Sequence, residues 1–142
     1  MRLLLICVGK VRQPFVDDVA HYQRLLARQA RLEVVEVPEG AGEAGAILKR
    51  IPGEAYVCAL DREGDLLTSE EVAAFLEERR MGRTDLCFVL GGPRGLDPAI
   101  LERSQRSLSF GPITLPHQLA RVVLLEQLFR AHKILAGEPY HY

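Results

Sequence analysis

Much that a chain of this size usually carries is missing. There is no tryptophan and no asparagine, aromatic residues make up 6% of the composition, and 142 residues include three cysteines. Cys7, Cys58 and Cys87 lie far apart, each inside an apolar run, with no Cys or His at metal-ligand spacing. An odd number of dispersed cysteines argues against a disulfide framework and against a zinc centre. The three read instead as small core residues in a reducing compartment, and no metal is expected. Long hydrophobic runs are lacking too. Met1 to Val8 is apolar apart from Arg2, but Gly9-Lys10 ends it. That is too short for a membrane span, or for a signal peptide's apolar region and cleavage site. The chain is therefore expected in the cytoplasm, with no membrane partner.

A strong charge of either sign is also missing. The net charge of −1 advertises no polyanion, and DNA is not an expected partner. The distribution says more. Met1 to Glu78 carries 9 basic and 14 acidic residues (9 − 14 = −5), whereas Arg79 to Tyr142 carries 9 and 5 (9 − 5 = +4). A basic C-terminal half makes a phosphate-facing patch only if its arginines share a surface; ordinary solvated arginines give the same count.

What is present is the composition of one globular domain, residues 1–142, with 48% apolar and 26% charged residues. Leu3 to Val8 is a continuous apolar run, the mark of a strand buried on both faces. From Pro14, Phe15, Val19, Tyr22 and Leu26 keep a helical period. Leu32 to Val37 reads as a second strand, and a glycine-rich acidic loop leads to a short helix at Ala46 to Arg50. Ala55 to Leu60 is a third strand, with Asp61 to Gly64 expected to turn the chain. Thr68 and Glu71 form a capping box for the next helix. Leu86 to Leu90 is a fourth strand, followed by a glycine-rich turn and a helix capped by Asp97-Pro98. A short strand, Leu108 to Phe110, precedes the longest helix, which is expected to start with Pro116 in its first turn and to stop at Gly137. Strand and helix alternate throughout, which means an α/β sandwich with a mainly parallel sheet.

In such sheets ligands sit beyond the carboxyl ends of the strands. Three segments converge there: Leu60 to Gly64, Leu90 to Leu96, and Phe110 to Pro116. The last is extended and apolar, between two prolines, with backbone groups that no regular element pairs. It suits a flat heterocycle such as adenine, or it is simply a packed crossover. The terminal helix is apolar on more than one side. That predicts cover from the sheet on one side and a second copy of the chain on another.

The strings LGGPRGL, LSFGPITLPHQLARVVLLEQLFRA and GEPYH, with LLLICVGK near the start and LDREG in the middle, closely resemble the RlmH family of ribosomal RNA large-subunit methyltransferases. The resemblance implies the SPOUT class, whose C-terminal segment threads a loop into a trefoil knot, an exception to the rule against knots. It implies a homodimer that binds S-adenosylmethionine in the knot. The methyl group would go to N3 of a pseudouridine in the helix 69 loop of 23S rRNA, within the assembled 70S ribosome. Matched by position, the cofactor contacts would be Leu60, Gly91, Phe110, Gly111, Pro112, Ile113, Thr114 and Leu115. Tyr140 and His141 would meet the substrate and help catalysis. The family commonly has Lys or Arg after that histidine, whereas this chain has Tyr142. Stacking of Tyr140 or Tyr142 on a base would replace the lost cation.

Other candidates rest on the residues themselves. Glu126 and Arg130, four apart, either pair on the helix surface or orient the target base. His117 either donates to a ligand oxygen or caps its helix. Arg121 and Arg94 are candidate phosphate contacts, Arg94 alternatively for the methionine carboxylate. Competing functions are methylation of a different tRNA or rRNA site, a non-catalytic dimeric ribosome-binding module, and, less well supported, a nucleoside-phosphate binder without a P-loop lysine.

Overall fold

The computed structural model describes residues 1–140. Ten elements alternate along the chain: β1 (Arg2–Val8), α1 (Val16–Ala27), β2 (Arg31–Val37), α2 (Glu43–Arg50), β3 (Tyr56–Leu66), α3 (Ser69–Met81), β4 (Leu86–Leu90), α4 (Pro98–Arg103), β5 (Arg106–Ser109) and α5 (His117–Ala136). The five strands form one sheet in the order β2-β1-β4-β3-β5, and every pairing is parallel. The mainly parallel sheet expected from the sequence is here wholly parallel.

Each central strand is buried on both faces, so its alternate residues enter different cores. Leu3, Leu5 and Cys7 of β1 join one cluster with residues of α1, α3 and α5. Leu4, Ile6 and Val8 join the other, with Ile47 of α2 and Ile100 of α4. A continuous apolar run is what such a position demands. The helices form where local signals place them. At α3 the Thr68 hydroxyl accepts from the Glu71 N–H at 3.1 Å, while the Glu71 carboxylate accepts from the Thr68 N–H at 3.0 Å. A reciprocal cap of this kind is worth about 1 kcal/mol. Asp97 caps α4 by accepting from Ala99 N–H at 2.8 Å. Gly137, at φ +70°, closes α5 in the left-handed conformation that glycine takes without strain.

Two local expectations are corrected. Asp61 to Gly64 is not a turn that ends a strand. Leu60 and Asp65 both align with Leu108, so residues 61–64 bulge out of β3 while the strand continues to Leu66. Gly64 permits this, because a Cβ there would lie 2.7 Å from the backbone of Ser107 and Leu108. Pro116 caps α5 instead of sitting in its first turn; its ψ of 142° is extended. Among the described residues, no helix is long and apolar enough to cross a membrane.

Candidate active site

Register brings Cys7, Leu90 and Leu60 side by side at the carboxyl edge of β1, β4 and β3. Beyond that edge lies a cavity of about 830 Å³, a size suited to a cofactor-sized ligand. Its walls are the three segments that converge there: the β3 bulge, the turn after β4, and the crossover from β5 to α5. Much of the lining is backbone. Gly91 packs so closely on the following turn that a Cβ would stand 2.7 Å from the carbonyl of Gly95. That turn is held by Gly95 N–H donating to the Gly92 carbonyl at 3.0 Å, with Gly95 at φ +79°. In the crossover, the buried Ser109 hydroxyl accepts from Gly111 N–H at 3.0 Å and sets the bend at Gly111, φ +105°. Among the described residues, the peptide groups from Pro112 to Leu115 have no backbone partner outside regular elements. They stand free to meet the edge of a ligand.

Seven of the eight expected cofactor residues line this cavity: Leu60, Gly91, Phe110, Gly111, Ile113, Thr114 and Leu115. Pro112 does not; it is exposed within the same crossover. The apolar members suit the faces of a heterocycle. Asp61, Arg62 and Glu63 on the bulge put charged groups at the cavity as well, and the Asp61 carboxylate accepts from Glu63 N–H at 3.3 Å. These three were not singled out from sequence, although the segment that carries them was. An apolar slot with free peptide edges and a charged flank fits S-adenosylmethionine, with its adenine and its zwitterionic chain.

His117 lines the cavity too, and no side chain caps α5. Arg94 is exposed on the turn after β4 and is not part of the lining. Arg121 is a correction. It is 2% exposed, and its guanidinium donates to Glu36 at 2.6 Å and to the Gly9 carbonyl at 3.0 Å. A cation so enclosed has almost no surface to offer a phosphate. Its acid lies 85 residues away in the sequence, and no local pattern announces the pair.

The remaining candidates form a second cluster. Arg130 pairs with Glu126 at 2.9 Å, and the Tyr140 hydroxyl donates to the same carboxylate at 3.1 Å. The Tyr140 ring meets Phe129 edge-on at 4.9 Å, with Arg130 above it at 5.2 Å. Burial, then the bond to Glu126, push the Tyr140 phenol up to about 12. At neutral pH it stays protonated and donates. Glu126 lies nine positions beyond His117, which puts the cluster roughly 13 Å along the helix from the cavity. His141 and Tyr142 lie outside the described residues. A second, smaller cavity of about 280 Å³, which nothing in the sequence signalled, backs onto Leu108 to Gly111 between α3 and α5.

The family model described as "Predicted SPOUT methyltransferase" matches residues 1–141. The chain is 46% identical to the ribosomal RNA large subunit methyltransferase H of Rubrobacter xylanophilus, over 99% of this chain and 98% of that one. It is 44% identical to the protein of the same name from Bifidobacterium adolescentis, over 99% of both chains. The chain belongs to the RlmH family of SPOUT methyltransferases. Solved structures agree on the fold. One, described as giving insights into 2-OH methylation of C/U34 on tRNA, superposes with a TM-score of 0.55 at 20% identity, covering 96% of this chain and 98% of that one. Another is the SpoU methyltransferase AviRb from Streptomyces viridochromogenes in complex with AdoMet, at a TM-score of 0.51 and 13% identity over 96% of this chain and 61% of that one. Membership of the RlmH family makes the chain a methyltransferase.

The cysteines take no part in the site. Burial pushes the Cys7 thiol up to about 11, and Cys58 and Cys87 to about 12. They are neutral core residues at physiological pH, as the sequence predicts.

Proposed function

We propose that this chain transfers the methyl group of S-adenosylmethionine to N3 of a pseudouridine in the helix 69 loop of 23S rRNA. It does so on the assembled 70S ribosome, as a cytoplasmic homodimer. The observation that carries the reading is the backbone-lined cavity at the carboxyl edge of the sheet, formed by seven of the residues expected to hold the cofactor. The names of the full-length relatives point to ribosomal RNA as the substrate. The same reading includes the knot: β5 lies at the sheet edge while α5 packs between α1 and α3, so residues 110–116 must cross the strand ends to reach it.

When bound, S-adenosylmethionine supplies an electrophilic methyl group on a sulfonium. The chain's own residues do the rest. Leu60, Phe110, Ile113 and Leu115 would hold the heterocycle, and the free peptide groups from Pro112 to Leu115 would meet its edge. Fixing donor and acceptor in line is worth more here than acid–base chemistry, because transfer from a sulfonium needs little activation beyond alignment. The pseudouridine N3–H must still lose its proton, and His117 at the cavity wall is placed to hold it. Tyr140, protonated at neutral pH, orients by donating or stacking and does not take the proton. Since the Tyr140, Glu126 and Arg130 cluster stands away from the cavity of its own chain, the tail serves the site of a second copy. The half-buried Leu119, Val122, Val123 and Ile134 on α5 are the surface such a copy would cover.

Two measurements test this. Titration calorimetry should give heat with S-adenosylmethionine, and none would leave a non-catalytic binding module. Mass spectrometry of 23S rRNA from cells lacking the chain should show one helix 69 pseudouridine without its methyl group. Loss of a methyl group elsewhere in tRNA or rRNA would move the substrate. A strictly monomeric mass at micromolar concentration would remove the dimer.

A further inference from the structure

The segment between β1 and α1, residues 9–15, is held by side chains to an unusual degree. Gln118 of α5, 6% exposed, donates to the Lys10 carbonyl at 2.9 Å and accepts from Arg12 N–H at 2.8 Å. Arg121, one turn on, donates to the Gly9 carbonyl, and Glu36 of β2 accepts from Val11 N–H at 2.9 Å. Four consecutive residues of a loop thus have their peptide groups bonded by three side chains from two other elements. A surface loop ordinarily leaves such groups to water. Anchoring them this way fixes the backbone from which the side chains leave.

Those side chains are cations. Lys10 and Arg12 are exposed, and among the described residues neither side chain makes a hydrogen bond or ion pair. Glu36, the acid whose carboxyl feels the charge of Lys10, is committed to Arg121 and to Val11 N–H. The acids that follow, Asp17 and Asp18, sit in the first turn of α1, where the helix N-terminus favours them. The loop begins one residue beyond a neighbour of the cavity lining, although residues 9–15 do not line the cavity themselves. It leaves β1 next to β4, and the Val8 side chain lies 3.0 Å from where a Cβ on Gly92, a lining residue, would stand. Gln118, which grips the loop, follows His117 on the same helix.

We infer that Lys10 and Arg12 form a preorganised contact for the phosphate backbone of the RNA, at the rim of the cavity, with Gln118, Arg121 and Glu36 as its positioning residues. The inference rests on the reading that the substrate is RNA. Unpaired cations on an anchored backbone beside a methyl-donor site are suited to setting the register of a polyanion without reading its bases. Arg121 thereby takes a part different from the one its sequence suggested, because it holds the loop that presents the contact.

The test uses the full-length chain and compares wild type, K10A/R12A and K10R/R12K for binding to 70S ribosomes over a range of salt, and for binding to S-adenosylmethionine. K10A/R12A should bind the ribosome about tenfold more weakly. The slope of log affinity against log salt should shrink by about 1.4 for two lost contacts to single-stranded RNA. Cofactor affinity should stay within about twofold, and K10R/R12K should restore both ribosome affinity and slope. Unchanged ribosome affinity and slope in K10A/R12A, with wild type binding the ribosome, would overturn the inference alone. A wild-type chain that binds the cofactor but no ribosome would overturn the RNA substrate and this contact together.

Discussion

Replacing Arg121 by methionine probes the most buried polar side chain among the described residues. The side chain is 3% exposed and its partner Glu36 is 32% exposed. The substitution keeps the apolar stem and removes two bonds, at 2.6 Å to Glu36 and 3.0 Å to the Gly9 carbonyl. Breaking a fully buried ion pair costs roughly 3–5 kcal/mol. Glu36 reaches water, which compensates part of that loss, so Arg121→Met should cost about 2–3 kcal/mol. For a domain of this size, at roughly 3–4 °C per kcal/mol, Tm should fall by about 6–12 °C. Glu36→Gln leaves a charge buried without its partner and should cost at least as much, while the double variant should cost clearly less than the sum. Burial alone would raise the Glu36 carboxyl. The hydrogen bond from Arg121, the Val11 N–H and the charges of Arg121 and Lys10 outweigh it and hold the carboxyl below its ordinary 4.5. A carboxyl depressed in the folded state contributes stability above its unfolded value and loses it as pH falls through the folded value. Calorimetric melts of wild type and Arg121→Met should therefore converge as the pH is lowered below 4.5. A cost under about 0.5 kcal/mol, equal at pH 7 and pH 3, would refute the buried pair.

Gly64→Ala should destabilise the fold by about 2–4 kcal/mol in chemical denaturation, because its Cβ would meet the β5 backbone at 2.7 Å and no flexible side chain can yield. Gly91→Ala should keep the fold and weaken S-adenosylmethionine binding by about tenfold or more in calorimetry, since its Cβ displaces the Gly92 to Gly95 turn from the cavity wall; an unchanged affinity would place the donor elsewhere. Cys7, Cys58 and Cys87, buried and held neutral, should resist an alkylating reagent at pH 8 until the protein is unfolded, as counted by mass spectrometry.

The sequence alone reached far because the signals that set this fold are local. The double-faced burial of β1 and β4 shows as unbroken apolar runs, the α3 capping box spans Thr68 to Glu71, and Gly137 stops α5. Once strands and helices alternate, the carboxyl edge is where a ligand is expected, and seven of the eight residues that the family resemblance proposed for the cofactor line the cavity there. The structure alone decided what depends on contact between distant segments. That Arg121 faces inward is settled by Glu36 and Gly9, brought to it only when β1, β2 and α5 pack together. That residues 61–64 bulge and do not turn is settled by β5, against which Gly64 fits with no room for a side chain. The four-residue spacing of Glu126 and Arg130 was legible, but Tyr140 joining them depends on where the chain returns after Gly137. Periodicity records which face of an element is buried. Which polar group waits on the other side is a property of the assembled fold.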